Sequence, residues 1–364
     1  MSFDAFHGNR NVVDRLREML ARDRFPHAII LSGPCGAGKY TLAQMLAKAM
    51  NCLNPPQAGL PDFCGACENC QRIAQADDMD ARFAEAVDAR DALREVDKKE
   101  THIFIQTHPE VLVIPPDPPQ MMIKVDQVRH VIETVYHMPE KGARRVYIFT
   151  DSAFMKEAAN SLLKVLEEPP EFATIFLLTE NPGELLTTIR SRCISFALAP
   201  LKPQEIERIV AKFHPEWNMA QRQLAARISG GAVGSAAGFD LAAYTAARKD
   251  ALVLLHAAID AQDHSALFKT TESYRAGAEG RSKTEQLIRT LYWLLEDMLF
   301  VNSNTPDMVR NPDILSELKR LADLIDFPWI SAASERLGEV ESGMRRNLLR
   351  SLSLDAFAAS LNRD

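Results

Sequence analysis

A glycine-rich stretch near the N-terminus has the residue types and spacing of a phosphate-binding loop. It reads Gly33-Pro34-Cys35-Gly36-Ala37-Gly38-Lys39-Tyr40-Thr41, between the apolar run His27–Leu31 and a helical pattern at Tyr40–Met50. Gly33, Gly36 and Gly38 let backbone N–H groups turn toward a phosphate, and the start of the following helix adds partial positive charge. Lys39 would reach the β- and γ-phosphates of a nucleotide. The stretch therefore predicts a nucleotide site of the P-loop type.

Two positions depart from what metal-assisted ATP hydrolysis needs. The residue after Lys39 should be Ser or Thr, whose hydroxyl binds Mg²⁺, and here it is Tyr40. Thr41 comes one residue late, so on a helix it points about 100° away. At the end of the run Val146–Asp151, Asp151 could organise Mg²⁺, but Ser152 follows where a working AAA+ ATPase carries a glutamate. The pattern predicts a degenerate site in which ATP binding is doubtful.

Four of the six cysteines lie close together in the stretch 52–70. Cys52, Cys64, Cys67 and Cys70 have the spacing Cys-x₁₁-Cys-x₂-Cys-x₂-Cys. Four thiolates are enough for a closed tetrahedral Zn²⁺ site with a structural role. Four unrelated thiols at this density are improbable in a chain expected to be cytoplasmic. An iron–sulfur cluster is the alternative that the spacing leaves open.

The elements that must position these residues alternate between strands and helices over the first 200 residues. Besides His27–Leu31, the predicted strands are Val111–Ile114, Val146–Phe149, Thr174–Leu178 and Ile194–Phe196. The predicted helices between them are Asp126–Tyr136 and Met155–Leu166. Alternation of this kind is typical of a parallel α/β sheet. Residues 77–100 are strongly charged and predict an exposed helical insertion laced with salt bridges, and Pro115–Pro119 predicts a stiff turn.

Beyond Pro200 the pattern becomes helical throughout. The predicted helices are Pro203–Val210, Ala220–Ser229, Lys283–Val301 and a last one from about Gly343 to the end. No apolar run approaches the roughly 20 residues that span a bilayer, and no signal-peptide pattern opens the chain, so we expect a cytoplasmic protein. The net charge is −7 and the pI about 5.8. Because proteins that grip DNA alone are usually basic, we expect any DNA contact to be shared with partner subunits.

Two further motifs, together with the P-loop and the cysteines, carry a family resemblance. They are Asn160–Pro170 (NSLLKVLEEPP) and Leu185–Cys193 (LLTTIRSRC). With them the chain resembles the bacterial DNA polymerase III clamp-loader family closely over residues 1 to about 200. The resemblance implies an AAA+ P-loop domain at 1–200 with a zinc module at 52–70. It also implies a small helical lid at 201–243 and a helical collar at 244–364 that holds a five-subunit ring together.

Within that family, the motor subunit (gamma/tau) hydrolyses ATP and the delta-prime subunit lies beside it. Tyr40, Ser152 and a lid turn at Gly230–Ala237 that contains no arginine resemble delta-prime. Arg192 matches the SRC arginine, which in the family reaches across the subunit interface to the ATP of its neighbour. The implied partners are the motor and delta subunits in a hetero-pentamer, with the sliding clamp and primer-template DNA reached through the complex.

Three alternatives to a delta-prime role are weighed against it. The chain could be a gamma/tau-like motor ATPase that tolerates Tyr40. It could be a scaffold in which Arg192 only caps a helix or pairs with a carboxylate, the commoner fate of a single arginine. A P-loop kinase of small molecules is the most distant alternative, because the sequence offers no site for an acceptor substrate.

Overall fold

The structure is a computed structural model that describes residues 2–140, 142–260, 263–275, 278–345 and 349–361. The chain divides into two compact units. The first comprises Met1–Lys202 with Gly230–Ser235, and the second Pro203–Ser229 with Ala236–Asp364. Each unit has its own buried core.

The first unit alternates strands with helices, as its sequence predicts. The strands are β1 (Ala28–Ser32), β2 (Ile105–His108), β3 (Val111–Ile114), β4 (Arg145–Phe149), β5 (Ala173–Thr179) and β6 (Ile194–Ala197). The helices are α1 (Arg10–Ala21), α2 (Lys39–Asn51), α3 (Glu68–Ala74), α4 (Met79–Asp91), α5 (Glu95–Glu100), α6 (Val125–Val135), α7 (Lys156–Glu167) and α8 (Thr187–Arg190). Short 3₁₀ turns lie at Phe3–Ala5 and Pro182–Glu184.

The six strands in the described residues form one sheet in the order β2-β3-β4-β5-β1-β6. All neighbours run parallel except β2 and β3, which are antiparallel. Because β4, β5 and β1 are adjacent and parallel, their carboxyl ends meet at one edge of the sheet. Ligands of open α/β sheets bind at this edge, so this part of the unit positions the candidate site.

Alternate side chains of β1, β3, β4 and β5 enter two different cores. On β1, Ile29 and Leu31 pack with the apolar faces of α1, α2 and α3. Ala28 and Ile30 belong to the opposite core, which includes buried residues of α6 and α7. This is the period-2 pattern of a sheet covered on both faces. The predicted three-layer α/β domain is confirmed.

One strand was not predicted. β2 is four residues long, with the sequence IQTH, and only its first and last side chains are buried. It pairs antiparallel with β3 at the edge of the sheet. A run this short, with two polar residues in the middle, has too little hydrophobic alternation to be recognised from sequence.

The second unit is helical in its described residues. Its helices are α9 (Pro203–Phe213), α10 (Met219–Ile228), α12 (Leu241–Ile259), α13 (Ser265–Glu272), α14 (Ala278–Asn302), α15 (Leu315–Ala322), α16 (Phe327–Arg345) and α17 (Arg350–Leu361), and the short α11 (Val233–Ala237) precedes α12. Two 3₁₀ turns, Pro306–Met308 and Pro312–Ile314, connect α14 to α15. The core contains apolar residues of the predicted helix Lys283–Val301, which lies within α14, including the fully buried Leu287, Leu291 and Leu294. None of the helices in the described residues has the length and apolar character needed to cross a membrane.

The prediction of one last helix from about Gly343 to the end was wrong. Gly343 belongs to α16, and a separate helix, α17, begins at Arg350. Residues 346–348 and 362–364 lie outside the described residues. Leu354, Phe357 and Leu361 are buried in α17, which packs against α16 and α12. These residues of α17 belong to the core of the helical unit.

Candidate functional site

The glycine-rich stretch lies at the carboxyl end of β1, as a phosphate loop should. Gly33, Gly36 and Gly38 have φ values of 150°, 74° and 89°. Residues other than glycine rarely adopt this left-handed backbone region, so the turn depends on these glycines. Lys39 is the first residue of α2, with Gly38 as its N-cap. The predicted strand–loop–helix context of the P-loop is present.

The side chain of Lys39 turns back onto the loop itself. Its Nζ donates to the carbonyl oxygens of Gly33 and Pro34, at 2.6 and 2.9 Å. Burial lowers the pKa of the Lys39 ammonium, and the negative charges of Glu180, Cys35 and Asp151 oppose that shift. The ammonium is therefore satisfied by backbone oxygens, the kind of acceptor that a phosphate would replace.

A distant part of the first unit covers the tip of the loop. The N–H of Gly234 donates to the carbonyl oxygen of Gly36 at 2.8 Å, and Ser235 Oγ donates to the carbonyl oxygen of Cys35 at 3.2 Å. A Cβ on Gly36 would lie 2.3 Å from Ser235 Oγ. Gly36 is therefore needed for this close approach as well as for its backbone conformation.

Tyr40, the residue in the position of the Mg²⁺ ligand, directs its hydroxyl to the turn that follows α3. Its hydroxyl donates to the carbonyl oxygen of Ala76 at 2.5 Å and accepts from Gln44 Nε2 at 2.7 Å. Burial raises the pKa of the Tyr40 phenol. A neutral hydroxyl with both partners supplied by the protein is a structural group. Thr41 is exposed and lines the neighbouring cleft.

The ends of β4 and β5 place acidic and hydroxyl groups opposite the loop. Asp151 Oδ1 accepts from the N–H of Ala153 at 2.9 Å. Thr179 Oγ1 donates to Ser152 Oγ at 2.9 Å, and Ser152 Oγ donates to Glu184 Oε2 at 2.8 Å. Ser152 thus joins a hydroxyl–carboxylate chain at the position of the expected catalytic glutamate.

A cleft of about 510 Å³ lies between these groups. Its lining includes the predicted residues Gly36, Gly38, Lys39, Thr41 and Asp151, and also Cys35, Tyr40, Met79, Thr150, Ser152, Leu178, Thr179, Glu180, Glu184 and Gly234. The structure therefore brings the predicted phosphate-loop residues together with Asp151. Met79 and Glu180 were not predicted. Glu180 directly follows the end of β5, and that position could have indicated it.

The four cysteines converge on one point. Cys52 caps the end of α2, Cys67 is the N-cap of α3, and Cys70 is buried inside α3. Together with Cys64, their sulfurs all lie within 4.8 Å of one another. Four thiolates at roughly 2.3 Å from one Zn²⁺ would be about 4 Å apart. The cysteines therefore fit a single tetrahedral Zn²⁺, and they are too close together to enclose a larger iron–sulfur cluster.

The thiols in this cluster differ in acidity. Burial would raise the pKa of Cys67, but hydrogen bonds from the backbone of Cys70 and Leu53 outweigh it and lower that pKa to about 6. Burial raises the pKa of Cys70. Metal ligation requires thiolates, so binding of an ion at this site would release protons from the cysteines that are still protonated.

Arg192 lies outside this cleft, since it is absent from the described residues that line it. It follows α8 and is partly exposed, with 34% of its side chain accessible. Its Nη2 pairs with Glu167 Oε1 at 2.6 Å, and its Nη1 donates to the carbonyl oxygen of Thr188 at 3.0 Å. The structure therefore does not bring Arg192 to the chain's own Lys39.

Comparison with known protein families identifies the chain's relatives. A family model for the DNA polymerase III delta subunit matches residues 8–202, which are 195 of the 364 residues. The chain belongs to this DNA polymerase III delta subunit family. The range that matches the family model contains the phosphate loop, the four cysteines, Asp151 and Arg192.

Relatives of this chain include both tau and delta' subunits of DNA polymerase III. The tau subunit of DNA polymerase III from Escherichia coli is 30% identical over 62% of this chain and 30% of its own length. The delta' subunit from Pseudomonas aeruginosa is 33% identical over 48% of this chain and 44% of its own. The delta' subunit from Bacillus subtilis is 31% identical over 54% and 49%. The chain therefore spans less than half the length of these relatives, and similarity to tau and to delta' is comparable.

Proposed function

We propose that this chain is a delta-prime type subunit of the DNA polymerase III clamp loader. Its role would be to help place the sliding clamp on primed DNA while a neighbouring motor subunit hydrolyses ATP. The observation that carries the choice of delta-prime is the position of Tyr40. Its hydroxyl is bonded to Ala76 and Gln44 at the place where a motor subunit needs a Mg²⁺ ligand.

Two further features support a nucleotide site without hydrolysis. Ser152 occupies the position of the water-orienting glutamate and is itself bonded to Thr179 and Glu184. The turn Gly230–Ala237, which covers the loop through Gly234, contains no arginine to contact a γ-phosphate. Each feature removes a different part of the machinery for phosphoryl transfer.

Arg192 would then act in trans. Its guanidinium is partly exposed and is held by one carboxylate and one carbonyl. A planar guanidinium placed at a neighbour's γ-phosphate would stabilise the charge that develops on the transferred phosphoryl group. In this proposal residues 1–200 form the AAA+ domain, 201–243 the lid and 244–364 the collar of a hetero-pentamer with motor and delta subunits.

A gamma/tau-like motor is the second candidate, because the E. coli tau subunit is 30% identical over 62% of the chain. The motor hypothesis requires that the chain hydrolyse ATP with Tyr40 in the position of the Mg²⁺ ligand and Ser152 in the position of the water-orienting glutamate. A passive scaffold, in which Arg192 keeps its partner Glu167, is the remaining alternative.

The test is the DNA- and clamp-stimulated ATPase of the reconstituted loader, with the wild-type chain compared with Arg192→Ala. We expect a loss on the order of 10³-fold at the site that Arg192 completes, with the complex still assembled on gel filtration. Arg190→Ala is the matched control, because Arg190 is the last residue of α8, two positions before Arg192, and its Nη2 donates to Thr187 Oγ1. An unchanged rate with Arg192→Ala would assign the chain a scaffold role.

A further inference from the structure

One face of α2 carries a stripe of polar residues that joins the phosphate loop to the cysteine cluster. Tyr40, Gln44 and Lys48 are spaced four residues apart, so they lie on the same side of the helix. Tyr40 and Lys48 bond to the turn that follows α3, at Ala76 and Asp77, and Gln44 bonds to the Tyr40 hydroxyl. We call these five residues the α2–α3 clasp.

The first contact of the clasp gives the Tyr40 hydroxyl both an acceptor and a donor. The Tyr40 hydroxyl donates to the carbonyl oxygen of Ala76, a residue with only 2% of its surface exposed. Gln44, which is 1% exposed, donates a second hydrogen bond to the Tyr40 hydroxyl. Because the carbonyl is buried, removing the hydroxyl leaves an acceptor that water cannot easily reach.

The second contact is an ion pair. Lys48 Nζ lies 2.5 Å and 2.8 Å from the two carboxylate oxygens of Asp77, and the Lys48 side chain is only 6% exposed. A further bond connects the same two helices, since Asn69 Nδ2 donates to the carbonyl oxygen of Asn51 at 2.9 Å. α2 is therefore bonded both to the start of α3 and to the turn that follows α3.

These two helices carry three of the four cysteine ligands. Cys52 terminates α2, whereas Cys67 and Cys70 belong to the start and the interior of α3. The relative position of the helices therefore sets the distance between Cys52 and the other sulfurs, such as the 4.0 Å to Cys67. A metal site gains affinity when its ligands are held in place before the ion arrives.

We propose that Tyr40 is a positioning residue for the zinc site, acting through the α2–α3 clasp. The residue that replaces the Mg²⁺ ligand of the phosphate loop has become part of the frame that holds the four thiols together. It follows that the cysteine cluster and the phosphate loop are mechanically connected through α2. The inference is independent of any role in clamp loading and would hold for a motor subunit with the same residues.

The experiment measures the rate at which the full-length, zinc-loaded chain releases Zn²⁺ to a chromogenic chelator. Tyr40→Phe, Tyr40→Thr and Lys48→Met each remove one contact of the clasp. We expect each to release Zn²⁺ at least ~10-fold faster than wild type, the range seen when residues that orient metal ligands are lost. Tyr40→Thr restores a short hydroxyl beside Lys39 and should still lose zinc quickly, because that hydroxyl cannot reach Ala76.

Tyr147→Phe is the matched control. Tyr147 is a buried tyrosine of the same unit, and its hydroxyl donates to Thr134 Oγ1 at 3.0 Å in the opposite core. Zinc release from Tyr147→Phe should equal that of wild type even where its melting temperature falls as far as that of Tyr40→Phe. The increase in melting temperature on adding Zn²⁺ should be smaller for Tyr40→Phe than for Tyr147→Phe.

Two results would overturn the inference. One is a Zn²⁺ release rate for Tyr40→Phe within twofold of the Tyr147→Phe rate, which would show that the Tyr40 hydrogen bond does not help to hold the cysteine ligands in place. The other is failure of the wild-type chain to take up Zn²⁺ at all. Neither result depends on ATPase activity, so each can be separated from failure of the proposed clamp-loader role.

Discussion

At the scale of single residues, the resting contact of Arg192 with Glu167 bears on the role in trans that is proposed for it. Its ion pair with Glu167 is partly exposed on both sides, at 34% and 52%. Exposed ion pairs of this kind stabilise a protein by at most about 1 kcal/mol. The cost of releasing Arg192 is therefore small compared with the stabilisation that a guanidinium gives to a reacting phosphate.

This difference predicts the behaviour of Glu167→Gln. In the reconstituted loader we expect a stimulated ATPase rate between the wild-type rate and about five times that rate. Losing an ion pair worth about 1 kcal/mol raises the population in which Arg192 is released from residue 167 by roughly that factor. The measurement is steady-state phosphate release alongside the Arg192→Ala variant. A loss as deep as that of Arg192→Ala would show instead that Glu167 orients the guanidinium for its task.

Tyr40 marks the limit of residue-level prediction. The sequence alone indicated that a Mg²⁺ ligand was missing, because a hydroxyl is required at a fixed spacing from Lys39. It could not indicate where the phenol goes, since its partner is a backbone carbonyl at Ala76, 36 residues away. Every residue type has such a carbonyl, so the contact leaves no trace in the pattern of side chains.

At the scale of elements, a buried carboxylate ties the charged insertion to the domain. Asp117, in the proline-rich turn, has a side chain that is only 1% exposed. Its oxygens lie 2.8 Å from Arg90 Nη1 of α4, 2.7 Å from Lys124 Nζ and 3.1 Å from His102 Nδ1. The charge run 77–100 was predicted to be a solvated face. Most of α4 is exposed, but the side chain of Arg90 is only 10% exposed, and its ion pair with Asp117 attaches α4 to the rest of the domain.

We expect Asp117→Asn to lower the free energy of unfolding of this unit by roughly 3 kcal/mol, because it leaves the buried cations without their counter-charge. The measurement is equilibrium unfolding in urea. Glu18→Gln serves as the control, since its pair with Arg22 is exposed and should change stability by less than about 0.5 kcal/mol. If the free energy of unfolding of Asp117→Asn equals that of Glu18→Gln, the contacts of Asp117 do not stabilise this unit.

The elements of the sheet could be predicted because each buried strand carries a continuous apolar run. Val111–Ile114 was predicted with the bounds it has in the structure, and each of the other predicted strands differs by one residue at one or both ends. What could not be predicted was the return of Gly230–Ser235 to the phosphate loop. That contact joins Gly234 to Gly36, and no local periodicity encodes a pairing between glycines 198 residues apart.

At the scale of the whole molecule, family membership leaves two kinds of subunit to distinguish. Tau and delta' relatives have similar identity to the chain, so overall similarity does not choose between them. The choice rests on whether this chain turns over ATP by itself. Three side chains bear on that question. Lys39 is bonded to the backbone of Gly33 and Pro34. Tyr40 is bonded to Ala76, and Ser152 is bonded to Glu184.

We therefore expect the isolated chain to hydrolyse Mg·ATP no faster than its Lys39→Ala variant. Loss of the water-orienting carboxylate alone would cost roughly 10²–10⁴-fold in rate, and loss of the Mg²⁺ hydroxyl adds to it. The measurement is phosphate release over a range of ATP concentrations that would reveal saturation. Saturable hydrolysis that Lys39→Ala abolishes would make the chain a motor of the gamma/tau kind, because a contaminating ATPase would not respond to that substitution. Equal background rates in both proteins, together with a deep loss for Arg192→Ala in the assembled loader, would instead place its chemical role entirely in the site of a neighbour.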